Sequence, residues 1–214
     1  MPPRIEPERR RRQVIEAAFR VVVTAGVEGL SLRKVADEAG LNIGSVRHYF
    51  DGHLDLLAAA AKEAGDRMAQ RLAQHPVERI RQLRRSEALD AVQALIEEVL
   101  PLDEQRRDEA IVVVELVMAS RTRPVFHQMS QRMGMDLTEV LRAALDALGV
   151  RGSDTASARL AALISGMTVE AVTPHVEFGP DFIRSTLRAQ LAALTEADDD
   201  MAGVSTDPTT TPTA

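Results

Sequence analysis

Apolar positions along this chain recur at helical spacing, and almost nowhere do they alternate as a half-buried strand would require. Ile15, Ala18, Phe19 and Val22 predict a first helix over 8–25 with one buried face. Gly26 and Gly29 bracket a turn, after which Ser31 can cap a helix that carries Leu32, Val35, Ala36 and Ala39 inward. Leu30 and Val35 stand at hydrophobic-staple spacing, while Lys34 occupies the place where Glu or Gln would complete a capping box. Gly40 offers a left-handed stop, and Asn42 caps a short third helix through Tyr49. Leu57, Ala61, Ala64, Met68 and Leu72 then stripe a connector helix over 53–73.

Beyond His75 and Pro76 the pattern predicts helices over 77–85, 87–99 and 103–121, the last two stopped by Pro101 and Pro124. The β-branched run Ile111–Val114 lowers helix propensity, yet its Glu- and Arg-bearing flanks favour a buried helical segment over an isolated strand. Met129, Met133, Leu137, Val140, Leu141, Ala144 and Leu148 define a helix over 125–148, with Gly134 as a place to bend and Gly149 as a stop. Two more follow, over 154–173 and from Asp181 to Glu196, joined by a Pro174–Pro180 connection. Residues 197–214 lose the pattern and read as a disordered tail. The fold class is all-α, divided into an N-terminal arm (1–8), a first module (9–52), a helical body (53–196) and the tail.

Composition narrows this picture. A chain of 214 residues with 45% hydrophobic side chains can bury a sizeable core, which excludes disorder throughout. The absence of cysteine removes disulfides and thiolate metal sites and fits a cytoplasmic protein. No apolar run is long enough to span a membrane, and no secretory signal pattern opens the chain. The net charge is -6, but residues 1–50 carry nine basic and six acidic groups, whereas the remainder carries seventeen and twenty-six. One end can approach phosphate while the rest would be repelled by it.

The segment Ser31–Phe50, SLRKVADEAGLNIGSVRHYF, has the capped helix, tight turn and second short helix of a helix-turn-helix. Leu32, Val35, Ala36, Val46 and Phe50 can hold the pair together, leaving Ile43, Ser45, Arg47 and His48 to face a major groove. Small Ala36 and Gly44 permit close backbone approach. Over residues 13–57 the chain resembles the DNA-binding domain of the tetracycline-repressor family, TetR, whose members are bacterial one-component regulators. That resemblance implies a three-helix DNA-binding domain followed by an antiparallel helical ligand-binding and dimerisation domain. It assigns DNA contacts to Ser31, Arg33, Ile43, Ser45, Arg47, His48, Tyr49 and His53. Arg47 stands where the family commonly has Tyr, Tyr49 where it has His, and His53 where it has Lys. Arg47 can read guanine or neutralise a phosphate, and Tyr49 can donate to phosphate or pack at the module's edge. The run Arg9–Arg12 opposes the first helix's dipole, and either a nucleic-acid backbone or solvent can compensate it.

The second half resembles the branch of that family with a BetI-type C-terminal domain, through the Arg121–Pro124 stretch and LAALISGMTVEAV at 160–172. The resemblance implies a homodimer through roughly 155–173 and 181–195, with an effector pocket among the preceding helices. Leu160, Leu163, Ile164, Met167, Leu187, Leu191 and Leu194 supply apolar surface for pairing or, equally, for packing within one subunit. Pocket candidates are the apolar Val114, Met118, Phe126, Met129, Met133 and Met167, with Glu115, His127, Glu170 and His175 as polar anchors. With no Trp, and no Tyr beyond Tyr49, an aromatic cage for choline is poorly supplied, so a small, largely apolar effector is expected. Helical metalloprotease, dinucleotide-fingerprint and phosphate-loop motifs are all missing, so no catalytic, cofactor-binding or metal site is assigned. The expected function is a ligand-responsive repressor acting on double-stranded operator DNA. A protein-interaction module and, less favoured, a small helical enzyme are the alternatives.

Overall fold

The computed structural model describes residues 5–173, 175 and 178–203, with side chains from residue 7 to 196 of these. Ten α-helices follow one another: α1 (Ile5–Gly29), α2 (Leu32–Ala39), α3 (Ile43–Arg47), α4 (His53–Leu72), α5 (Val77–Ile80), α6 (Arg85–Glu97), α7 (Glu104–Ser120), α8 (His127–Leu148), α9 (Ser153–Val172) and α10 (Pro180–Gly203). A 3-10 turn, Pro124–Phe126, leads into α8. The apolar spacing located nearly every element, and the β-branched run of 111–114 is helical within α7.

Several boundaries differ from expectation. Helix α1 already includes Ile5, so residues 5–8 are helical where an arm was expected, and residues 1–4 lie outside the described part. Helix α3 stops at Arg47, with Tyr49 in the following turn, and α5 is only one turn long. Helix α10 continues beyond Glu196 to Gly203, into the expected tail. Residues 204–214 are outside the described part.

Two apolar cores form, and their border does not follow the sequence division at residue 52. The first joins α1, α2, α3 and the front of α4, but Val112, Leu116 and Ala119 of α7 and Phe126 complete it. The second gathers α5, α6, α8, α9 and α10. Leu160, Ile164, Met167, Leu187 and Leu191 all belong to it, so packing within the subunit accounts for them. Charge also ties the two halves. Arg71, at the end of α4, donates to the carbonyl of Glu98 at 3.1 Å and to Glu109, a carboxylate of α7 with no exposure at all. A buried carboxylate is tolerated only when paired in this way.

Candidate nucleic-acid interface

The α2–α3 pair is built from two side-chain caps. Ser31 Oγ accepts from the Lys34 amide at 3.2 Å, starting α2 after extended backbone. Gly40 ends it with φ 65°, a left-handed turn that spares a side chain its usual steric cost. Only two residues intervene before α3, whose start is held by Asn42: its Oδ1 accepts from the Ser45 amide at 2.8 Å and from the Ser45 hydroxyl at 3.2 Å. Val35, Ala36, Val46 and Phe50 are buried beneath, and Gln13 of α1 donates to the Ala39 carbonyl at 2.8 Å, fixing the pair against the scaffold helix.

What remains outside is a small uncharged-to-basic face. Ile43 is 40% exposed, and Gly44, Arg47 and His48 are exposed beside it. Arg33 and His53 are exposed at the starts of α2 and α4, whereas Ser31, Ser45 and Tyr49 are half-buried. The Ser45 hydroxyl already serves the α3 cap, which the motif alone did not reveal. Tyr49 packs partly on the first core and meets the His48 ring edge-on, 4.9 Å between centroids. Gly44 departs from expectation: a Cβ there would meet only the Asn42 cap oxygen, at 3.2 Å, so its smallness leaves room outward instead of letting α2 approach. Ala36 is buried, at 2% exposure.

The arginine run sits in the second turn of α1. Arg9, Arg11 and Arg12 are exposed, and the Arg11 guanidinium lies over the Phe50 ring, 5.2 Å from its centroid. This brings one cation of the run to the corner between α3 and α4.

The ten expected pocket residues are divided between the two cores, the half-buried positions and the surface. Phe126 is buried in the first core with Met129 and Met133 packed against it, while Met167 is in the second core. Met118 is 55% exposed, His127 and His175 are exposed, and Val114, Glu115 and Glu170 are half-buried. Glu115 has a different task. α1 breaks at Gly26 (φ 64°, ψ -178°), and Glu115 Oε2 accepts the Val27 amide at 3.0 Å, 88 positions away in sequence. A separate open groove of about 500 Å³ runs along Gln131, Met135, Thr138 and Arg142 of α8 to Asp154 and Ser157 of α9. None of these residues was a candidate; apart from the buried Ser157 they are exposed or half-buried positions on two helices, which polar composition leaves unmarked.

Residues 14–60 match the bacterial regulatory proteins of the tetR family, and residues 88–196, just over half of the chain, match the C-terminal domain of BetI-type transcriptional repressors. The chain belongs to the TetR family. It is a DNA-binding transcriptional regulator and not an enzyme, and its all-helical fold with an N-terminal helix-turn-helix is the family's own. The HTH-type transcriptional regulator PksA of Bacillus subtilis (strain 168) is 29% identical over 207 residues, covering 92% of this chain and 96% of that relative. A transcriptional regulator from Rhodococcus sp. Rha1 superposes with a TM-score of 0.77 at 26% identity, over 87% of this chain and 96% of its own. The multidrug binding protein EbrR, in complex with imidazole, gives a TM-score of 0.62 at 27% identity, over 89% and 93% of the two chains. No helix among the described residues of this TetR-family chain is long and apolar enough to cross a membrane.

Proposed function

We propose that this TetR-family protein is a cytoplasmic repressor that grips a two-fold operator as a homodimer and lets go when a small, largely apolar molecule binds its helical body. The observation that carries the reading is the exposed face of Ile43, Arg47 and His48 on a doubly capped helix pair. In this reading α3 enters the major groove, while Ser31, Arg33, Tyr49 and His53 position phosphates and Ser45 holds the helix start as well as facing DNA. The Arg9–Arg12 run adds sequence-independent attraction.

Dimerisation supplies the second reading helix, about 34 Å away for half-sites one turn apart. Two outward stripes support α9 and α10 as the pairing helices. Thr155, Ala158, Ala162, Ser165 and Gly166 are exposed along α9, and Phe182, Ser185, Ala189 and Ala193 along α10, uncharged and mostly small, with the exposed Arg159 as a charged position on the α9 stripe. Such faces let helices of two subunits approach closely. In this reading the effector lies against α7 with α8 and α9; that EbrR is named as a multidrug binding protein supports small-molecule binding in this fold. Movement of α7 would reach the DNA-binding module through the Val112, Leu116 and Ala119 side chains that complete its core. The domain division follows: an N-terminal extension, a DNA-binding module over 9–52, and a regulatory and dimerisation body over 53–196.

Selection of bound duplexes from a random library tests the proposal. A two-fold motif with half-sites one helical turn apart is the expected product; recovery of no preferred sequence by the full-length protein overturns it.

A further inference from the structure

Of the four polar side chains that stood as effector anchors, the structure leaves one free for the task. Glu115 is engaged by the Val27 amide, and His127 and His175 are exposed. Glu170, in the last turn of α9, is half-buried, and its Oε2 is covered from solvent with no hydrogen-bond partner among the described residues. Leaving such an acceptor covered and unmet is destabilising, and more so when it is charged. A cation that reaches α9 beside it is engaged elsewhere: Arg107 Nη1 donates at 2.9 Å to the carbonyl of Ala171, the residue after Glu170.

The α7 face that meets α9 at Arg107 continues, at helical spacing, through Ile111, Val114 and Met118. Ile111 and Val114 are only half covered, and Met118 is 55% exposed. An unmet carboxylate oxygen and an incompletely covered apolar stripe therefore lie on the two helices that Arg107 joins.

We propose that Glu170 anchors a cationic effector, an ammonium or amidinium that retains a hydrogen on nitrogen, carried on an apolar body that lies along Ile111, Val114 and Met118. The inference rests on the effector-responsive reading above and gives that effector a charge. An N–H donor fits better than a quaternary nitrogen, because Oε2 can only accept and none of these three apolar residues is aromatic.

The test is titration calorimetry on the full-length protein with a homologous series of ω-phenylalkylammonium ions, each compared with the neutral alcohol of the same length. At least one ammonium is expected to bind about ten- to hundredfold more tightly than its alcohol, the margin of a charge-assisted hydrogen bond. The nearly isosteric Glu170→Gln should erase that margin. Equal binding of ion and alcohol by the wild-type protein, or a margin that survives in Glu170→Gln, overturns the proposal, as does failure of every ammonium to bind. The wild-type comparison decides on its own should the variant not fold. Operator retention by the unliganded wild-type protein is measured in parallel: its loss strikes the regulator reading, whereas retention without ammonium preference strikes only the anchor.

Discussion

Asn42 carries the start of a reading helix only five residues long, through two bonds to Ser45. Asn42→Ala is expected to cost about 1 kcal/mol of stability, the usual worth of an N-cap, and to weaken operator binding, measured by urea unfolding and fluorescence anisotropy. Arg47 and Ile43 sit at opposite ends of the same helix. Groove-reading helices place their first residues at base edges, so Ile43→Ala should change preference at base pairs bearing a thymine methyl. Arg47→Ala should instead weaken all duplexes alike and lower the salt slope by about one, as loss of a phosphate contact does. A changed base preference for the arginine variant would place it on a base edge. These outward residues were legible because the inward ones, Val35, Val46 and Phe50, are spaced for burial; the Ser45–Asn42 bond was not, since a hydroxyl's partner depends on local geometry.

At the scale of the element, α7 is the helix whose role the chain pattern conceals. Its carboxylate Glu115 closes the break in α1, and its Glu109 is buried against Arg71. Glu115→Ala should destabilise the protein by about 1–3 kcal/mol by leaving the Val27 amide unmet, whereas Glu115→Gln keeps an acceptor and should cost less; chemical denaturation separates the two. The start of α7 is held by Asp103, whose side chain accepts from the Arg106 amide at 2.8 Å. Burial is the largest single influence on the Asp103 carboxyl and raises it, but the backbone and side-chain bonds from Arg106, with the charges of Arg106 and Arg71, together prevail and hold it below its ordinary value. A lowered folded pKa stabilises above the unfolded value and fades as pH falls through the folded one. The stability gap between wild type and Asp103→Ala is therefore expected to be about 1 kcal/mol at neutral pH and to close as pH falls below about 4. Helices were readable from spacing, but α7 has apolar and charged residues on several sides, so spacing could not say which neighbour claims each.

For the whole molecule, the structure decides between the two uses that the leucines of α9 and α10 left open. Leu160 and Leu187 are buried in their own subunit, so Leu160→Ala should cost about 2–5 kcal/mol of subunit stability, the range for a buried leucine. Ala162 lies on the outward stripe, and Ala162→Glu should yield a folded monomer with weakened operator binding in sedimentation velocity and gel-shift measurements. A dimer unchanged by this substitution would move the interface elsewhere. The sequence by itself determined the all-α architecture, the helix-turn-helix and the separation of a basic end from an acidic body, because periodicity, caps and charge are local and additive along a chain. Only the tertiary structure decided which apolar faces are consumed within the subunit, that Glu115 is spent on α1, and that Glu170 keeps an oxygen without a partner among the described residues. These depend on which distant surfaces meet, and identical helical stripes fit more than one such meeting.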